Sequence, residues 1–308
     1  MSAQIKVTKL SKCYGSVAAA VDVSFEVETG EIFGLLGANG AGKTTVLECL
    51  VGLKEPDSGD VHIAGIDVRT NPRGAHAQLG ASLQNSGLPD HLTPREALWL
   101  FGSFRDRSGN GEALLAQFAL QEKADAPYGT LSVGQRQRVA LALSVVNEPA
   151  VVILDEPSSG LDPQARRELH ACLRAMKLAG KTILLSTHDL GEAGDLCDRV
   201  AVLRKGRLVA VGSPRELRDA GRHRQSIRFR SSHAVDPRKL ADLVGVNAVV
   251  PAGECHRLFT SDPSATIQAL NRLMVECRHD VLELQVETVD LAETYFELTG
   301  PTDAGPPS

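Results

Sequence analysis

The sequence predicts an α/β fold followed by a small α+β domain, and three observations carry that reading. Apolar runs of strand length at 150–155 and 181–186 are separated by a helical pattern in which Leu169, Leu173 and Met176 share a face. This strand, helix, strand rhythm belongs to a parallel sheet. Upstream, Val21, Val23, Phe25 and Val27 alternate as a half-buried strand does, and the run 31–37 reads as a buried strand ending in Gly37. An antiparallel edge is therefore expected to lead into a parallel core. After the polar, basic stretch 221–225 the pattern changes: strands near 226–231, 247–251, 256–260 and 281–287 alternate with helices near 236–243, 263–276 and 289–298.

A chain of 308 residues suits two domains of unequal size, each able to bury its own core. The expected division is 1–221 for the α/β domain and 222–300 for the α+β domain. The segment 301–308, which lacks large apolar side chains, is expected to be a flexible tail. With 43% hydrophobic and 23% charged residues the chain reads as an ordinary globular protein rather than a disordered or fibrous one. The net charge of −5 gives no positive field toward nucleic acid or anionic lipid, so no nucleic-acid partner is expected. No apolar run approaches the ~20 residues that span a bilayer, and the first residues lack the apolar core of a secretory signal; a cytoplasmic location follows as an expectation. The six cysteines, Cys13, Cys49, Cys172, Cys197, Cys255 and Cys277, are too scattered for a zinc site or a disulfide framework and read as reduced, packed thiols.

The chemistry starts at Gly37, Ala38, Asn39, Gly40, Ala41, Gly42, Lys43, Thr44 and Thr45. Glycines at this spacing, between an apolar strand and a helix beginning near Thr45, form a P-loop. Backbone N–H groups converge there on phosphate oxygens, helped by the positive end of the helix, while Lys43 reaches the β and γ phosphates and Thr44 ligates Mg²⁺. A glycine-rich turn alone explains the glycines but not the Lys43–Thr44 pair. The second half of the site is the apolar run 151–154 followed by Asp155, Glu156 and Pro157. Open α/β sheets bind ligands at such strand ends. Asp155 is suited to hold Mg²⁺ and Glu156 to polarise the attacking water.

Leu131, Ser132, Val133, Gly134 and Gln135, followed by Arg136, Arg138 and an apolar helix, supply the next element. Ser132 reads as a helix N-cap which, with the Gly134 N–H and the helix dipole, can grip a γ-phosphate. An ordinary capped helix fits the same residues.

Taken with the P-loop, this segment resembles the signature motif of the ABC ATPases, and the remaining elements of that family follow in order: Tyr14, Gln84, the run Ser159, Gly160, Leu161 and Asp162, and His188. The likeness covers nearly all of 1–221. It implies an ABC ATPase core of the P-loop NTPase type, with an antiparallel β subdomain and a helical subdomain, that hydrolyses ATP with Mg²⁺. In such a core Tyr14 stacks on adenine, Gln84 senses Mg²⁺ and water, Asp162 communicates between subunits, and His188 holds the γ-phosphate and orients water near Glu156. The family closes the P-loop of one subunit against the signature helix of another, so a second ATPase subunit is implied, with a homodimer expected from the complete motif set. Integral membrane permease subunits are implied as partners, the ATPase lying peripherally on the cytoplasmic face of the cell membrane. The helical region 83–130 would form the groove for a membrane coupling helix; Trp99 either lines that groove or, by its helical spacing, joins the core.

One departure is Val133, where the family most often has glycine. The N-terminal ATPase domain followed by a short α+β extension looks like drug- and polyketide-resistance exporter ATPases, including the daunorubicin-resistance type. A role for the extension in dimer support, or simple packing, stays open. The leading function is therefore an exporter ATPase subunit serving a separately encoded permease. The alternative is a soluble ABC ATPase in translation or DNA maintenance, against which stand the single ATPase domain, the lack of long coiled-coil insertions and the absent basic surplus. Import is a third reading, disfavoured by the extension.

Overall fold

The computed structural model describes residues 3–84, 87–104, 110–220, 225–233, 235–252 and 255–288. These form two compact units that part between Ser213 and Pro214. The expected boundary at 221, the helix near 289–298 and the tail 301–308 lie outside the described residues.

In the first unit, β1 (Ala3–Tyr14), β2 (Val17–Glu28), β4 (Ser58–Ile63) and β5 (Ile66–Asp67) build an antiparallel sheet in the order β2-β1-β4-β5. The central sheet runs β10-β9-β3-β8-β7-β6. Its members are β3 (Ile32–Leu36), β6 (Leu79–Ser82), β7 (Val151–Asp155), β8 (Thr182–Thr187), β9 (Arg199–Arg204) and β10 (Arg207–Gly212). All neighbours in it are parallel except β10, which is antiparallel to β9.

The expected antiparallel β subdomain is the sheet β2-β1-β4-β5, with Val21, Val23, Phe25 and Val27 on β2. Alternation in β2 shows which face is buried but not which strand it pairs with. A tight turn at Gly15 and Ser16 folds β2 back onto β1, so that Tyr14 pairs with Val17. The antiparallel edge of the central sheet is β10.

β3, β7 and β8 are buried along their whole length, as strands covered on both faces must be. The two sheets share one core with α1 (Lys43–Leu50). Phe25 of β2 stacks on Phe33 of β3 with ring centroids 5.4 Å apart. Each such aromatic contributes about 1.5–3 kcal/mol by leaving water. A backbone bond from Val21 N–H to the Gly206 carbonyl (2.7 Å) ties β2 to the β9–β10 hairpin.

Between β6 and β7 the chain turns helical. After α2 (Pro72–Ala77), which precedes β6, come α3 (Pro94–Ser103), α4 (Gly111–Gln117) and α5 (Val133–Val145), with α3 packed on both α4 and α5. Thr93 and Glu96 cap α3 reciprocally, with Pro94 in the first turn, a combination that satisfies orphan N–H groups. α6 (Pro163–Leu178) buries Leu169, His170, Leu173 and Met176 on one face, and α7 (Leu190–Leu196) follows β8. No described helix is long and apolar enough to cross a membrane.

The second unit begins with α8 (Pro214–Ala220). It continues as β11 (Gln225–Ser231), α9 (Pro237–Ala241), β12 (Val246–Ala252), β13 (Cys255–Thr260), α10 (Pro263–Cys277) and β14 (Val281–Thr288). Its sheet is antiparallel in the order β12-β13-β11-β14, so the βαββαβ succession closes as a ferredoxin-like split βαβ fold. Ile227, Phe229, Leu240, Leu258, Leu270 and Met274 form its core. Asp262 caps α10, accepting the Ala265 N–H at 3.0 Å.

Candidate functional site

The cleft lies where β3, β7 and β8 end. At the mouth of β3 the chain leaves the sheet at Gly37, whose N–H donates to the Thr187 carbonyl at 3.2 Å. Gly42 then takes φ +104, and a Cβ there would come 2.1 Å from the Ala19 carbonyl oxygen; only glycine fits that turn. The helix begins two residues earlier than expected, at Lys43. Lys43 is buried, its ammonium donating to the carbonyls of Gly37 (2.7 Å) and Ala38 (3.2 Å) and lying 3.2 Å from Glu156 Oε1. A charge buried this far from water needs such partners.

Asp155 and Glu156 follow β7. Asp155 is 5% exposed; its Oδ2 accepts the Thr44 hydroxyl at 3.0 Å, and its Oδ1 accepts the Ser186 hydroxyl. Glu156 adopts φ +46, the left-handed region that a side chain normally avoids. That turn carries its carboxylate between Lys43 and His188, with His188 Nδ1 3.1 Å from Oε2.

Thr44 and Asp155 are hard oxygen donors side by side, with Gln84 lining the same cleft. This donor set fits Mg²⁺, which takes one or two protein oxygens and completes its shell with phosphate and water.

Behind the cleft is a buried network that sequence reasoning missed. Glu192 of α7 is 3% exposed. It accepts the Thr187 hydroxyl at 2.6 Å, lies 3.0 Å from His170 Nε2 of α6, and accepts the Ser158 hydroxyl. Burial pushes its carboxyl up, but hydrogen bonds from His170, Thr187 and Ser158 outweigh that and hold it below the usual glutamate range. Arg166 and Asp189, 2.6 Å apart, join α6 to the same loop. No local signal marks these residues: Ser186 reads as a strand position and Glu192 as a solvated helix face.

The cleft, about 870 Å³, is lined by Val17, Ala18, Ala19, Asn39, Gly40, Gly42, Lys43, Thr44, Thr45, Gln84, Glu156, Ser159, His188 and Lys205. Gly37, Ala38 and Ala41 form the turn behind it. Tyr14, 42% exposed at the end of β1, is not part of the lining; its ring centre sits 5.9 Å from the Lys12 ammonium.

Ser132, Gly134 and Asp162 lie instead in a separate concavity of about 410 Å³, lined also by Val133, Arg138, Gly160, Leu161, Gln164, Ala165 and Glu168. Here the first turns of α5 and α6 meet, a Cβ on Gly134 reaching to 3.1 Å from Ala165 Cβ. The Ser132 hydroxyl accepts the Gln135 N–H (3.2 Å), and the Gln135 side chain accepts the Ser132 N–H (2.9 Å). Asp162 caps α6 by accepting the N–H groups of Gln164 and Ala165, both at 2.9 Å. Within this chain, Gln135 and Asp162 are therefore capping residues. Val133 is 57% exposed. Trp99 is 62% exposed, so its helical spacing does not place it in the core.

All of these residues fall within regions shared with known proteins. A family model described as ABC transporter matches residues 20–159. The Nod factor export ATP-binding protein I of Sinorhizobium fredii is 37% identical over 303 residues, spanning 96% of this chain and 86% of that protein. Its counterpart from Rhizobium meliloti is 38% identical over the same share of this chain and 88% of its own length. Among solved structures, an ATP-binding subunit of an ABC transporter is 32% identical, with a TM-score of 0.64 over 70% of this chain and 92% of that one. A dimeric ATP-binding cassette bound to ADP and Pi is 25% identical, with a TM-score of 0.62 over 68% of this chain and 98% of its own.

Proposed function

Since the chain belongs to the ABC transporter family as an ATP-binding subunit, we propose that it hydrolyses ATP at sites closed between two copies of itself and powers an export permease carried on another chain. The observation that carries this reading is the division of the motifs. Lys43, Thr44, Glu156 and His188 share one cleft, Ser132, Gly134 and Asp162 share another concavity, and the two have no lining residue in common. Each chain then offers two half-sites, and a two-fold pair completes both.

Lys43 and the N–H groups of the P-loop bind the phosphates. Thr44 and Asp155, with Gln84 lining the same cleft, would hold Mg²⁺. A magnesium ion so bound supplies neutralisation of the charge that develops on the transferred phosphoryl group. Glu156 accepts the proton of the attacking water, and its contacts to Lys43 and His188 support that role by orienting the carboxylate. From the second copy, the first turn of α5 brings a capped, positively polarised helix end to the γ-phosphate. Tyr14 stacks on the adenine as the half-exposed aromatic nearest the cleft in sequence.

Export is favoured over a soluble role in translation or DNA maintenance because the relatives spanning nearly the whole chain are named for Nod factor export. The exposed Trp99 is in keeping with the groove for a permease segment. Affinity capture of the tagged chain from detergent-solubilised native membranes in Mg-ATP tests the proposal. Co-purification of a multi-helix permease is the expected result; recovery of ribosomes or DNA-repair factors alone would overturn it.

A further inference from the structure

We propose that Ser186 is a positioning residue whose single hydroxyl sets the metal-holding carboxylate and the water-activating carboxylate in register with each other. The inference rests on the ATPase reading above and deepens it. Ser186 is the penultimate residue of β8, opposite Asp155, and is 0% exposed. Its hydroxyl makes two bonds at once, donating to Asp155 Oδ1 and accepting the Glu156 N–H at 2.9 Å. A serine hydroxyl has one proton to give and lone pairs to receive, so both contacts are made without competition.

Each bond constrains a different half of the chemistry. With Thr44 on Oδ2 and Ser186 on Oδ1, the Asp155 carboxylate cannot rotate about its last bond without losing a buried partner. The bond to the Glu156 N–H holds a residue that is not glycine yet sits at φ +46, a conformation that persists only where its surroundings over-determine it. That conformation aims Glu156 at Lys43 and His188. One hydroxyl thus spans the residue that holds the metal and the residue that acts on water, as supporting contacts around metal sites do.

The test compares the full-length wild-type chain with Ser186→Ala, Ser186→Thr and Ser186→Cys. Binding of a non-hydrolysable ATP analogue is measured without divalent metal, Mn²⁺ affinity of the nucleotide complex by electron paramagnetic resonance, and kcat and KM separately. Ser186→Ala is expected to bind metal-free nucleotide as the wild type does. Its Mn²⁺ affinity and kcat should each fall about 10- to 100-fold, with KM little changed. Ser186→Thr should restore both because it keeps the hydroxyl. Ser186→Cys, nearly isosteric with a weak donor, should fall between and serves if the extra methyl of threonine is not accommodated. Wild-type Mn²⁺ affinity and kcat in Ser186→Ala would overturn the proposal, as would equal losses in all three variants when each melts like the wild type. A wild-type chain that binds neither nucleotide nor Mn²⁺ would instead remove the ATPase reading beneath it.

Discussion

The phosphate cleft and the signature concavity belong to the same unit but satisfy their polar groups in opposite ways. In the cleft, partners come from far apart in sequence: Thr44 meets Asp155 across 111 residues, and Asp155 meets Ser186 across 31. Lys43 and Asp155 are buried. In the concavity the two caps are satisfied within their own helices, Ser132 by Gln135 and Asp162 by Gln164 and Ala165, Ser132 and Asp162 are exposed, and an ion pair, Arg138 to Glu168 at 3.5 Å, joins α5 to α6. A cleft pre-paired by tertiary contacts has its geometry before any ligand arrives, which is what electrostatic catalysis requires. The concavity offers two capped helix ends beside the Arg138–Glu168 pair, so on the proposed reading its grip on a phosphate comes from the helix dipoles.

Substitutions on the two sides should therefore fail differently. The largest effect is expected for Glu156→Gln, which keeps shape and nucleotide affinity but removes the base. Its single-turnover hydrolysis should slow by about 10²–10⁴-fold, while size-exclusion chromatography shows an ATP-bound dimer accumulating; near-normal turnover would remove Glu156 from its role. Next comes Lys43→Ala, which deletes a buried cation and leaves Glu156 with only His188 beside its carboxylate. Calorimetry should show Mg-ATP affinity about 10- to 100-fold weaker, as expected for a lost charged hydrogen bond. Retained affinity would mean the P-loop backbone suffices.

On the other side, Ser132→Ala should destabilise α5 by about 1 kcal/mol through the lost cap and leave nucleotide binding by the monomer untouched. Combined with Glu156→Gln it should abolish the ATP-bound dimer. A monomer-level loss of ATP affinity would erase the distinction between the two sites.

The smallest effect concerns the buried support of the cleft. Glu192 titrates below the usual glutamate range in the folded chain. The stability it contributes is present above the unfolded value and lost as pH falls through its lower folded value. Glu192→Gln should lower stability near neutral pH, where the ionised carboxylate contributes it, and flatten the acid limb of the stability profile in that window; an unaltered acid limb would show that folding does not lower the carboxyl's pKa.

Much of the site was legible because its chemistry is local. The turn from Gly37 to Gly42, a helix opening just after it and the carboxylates ending β7 each follow from a few adjacent residues, as does the cap at Ser132. Of the cysteines, Cys49, Cys197 and Cys255 are buried while Cys13 is exposed, and burial pushes the Cys49 thiol up to about 11, where it has little tendency to react. What stayed hidden depends on neighbours distant in sequence. Nothing near Ser186 announces that it bridges two carboxylates, and nothing near Glu192 announces that its helix face is turned inward onto His170 and Thr187. Trp99 misled in the other direction, since helical spacing gives a face but not what covers it.

By itself the sequence determined the strand, helix, strand rhythm of 150–186, the P-loop, the acid pair, the capped helix start at Ser132 and the change of pattern to an α+β part, because hydrophobic period and short-range hydrogen bonding are properties of neighbouring residues. Only the tertiary structure decided that β2 pairs with β1 and not with a strand of the central sheet, that the second unit closes in the order β12-β13-β11-β14, and that one buried serine joins the two carboxylates. Strand partners and buried side-chain bonds are chosen by packing across the whole chain, and an alternating pattern is equally compatible with several such choices.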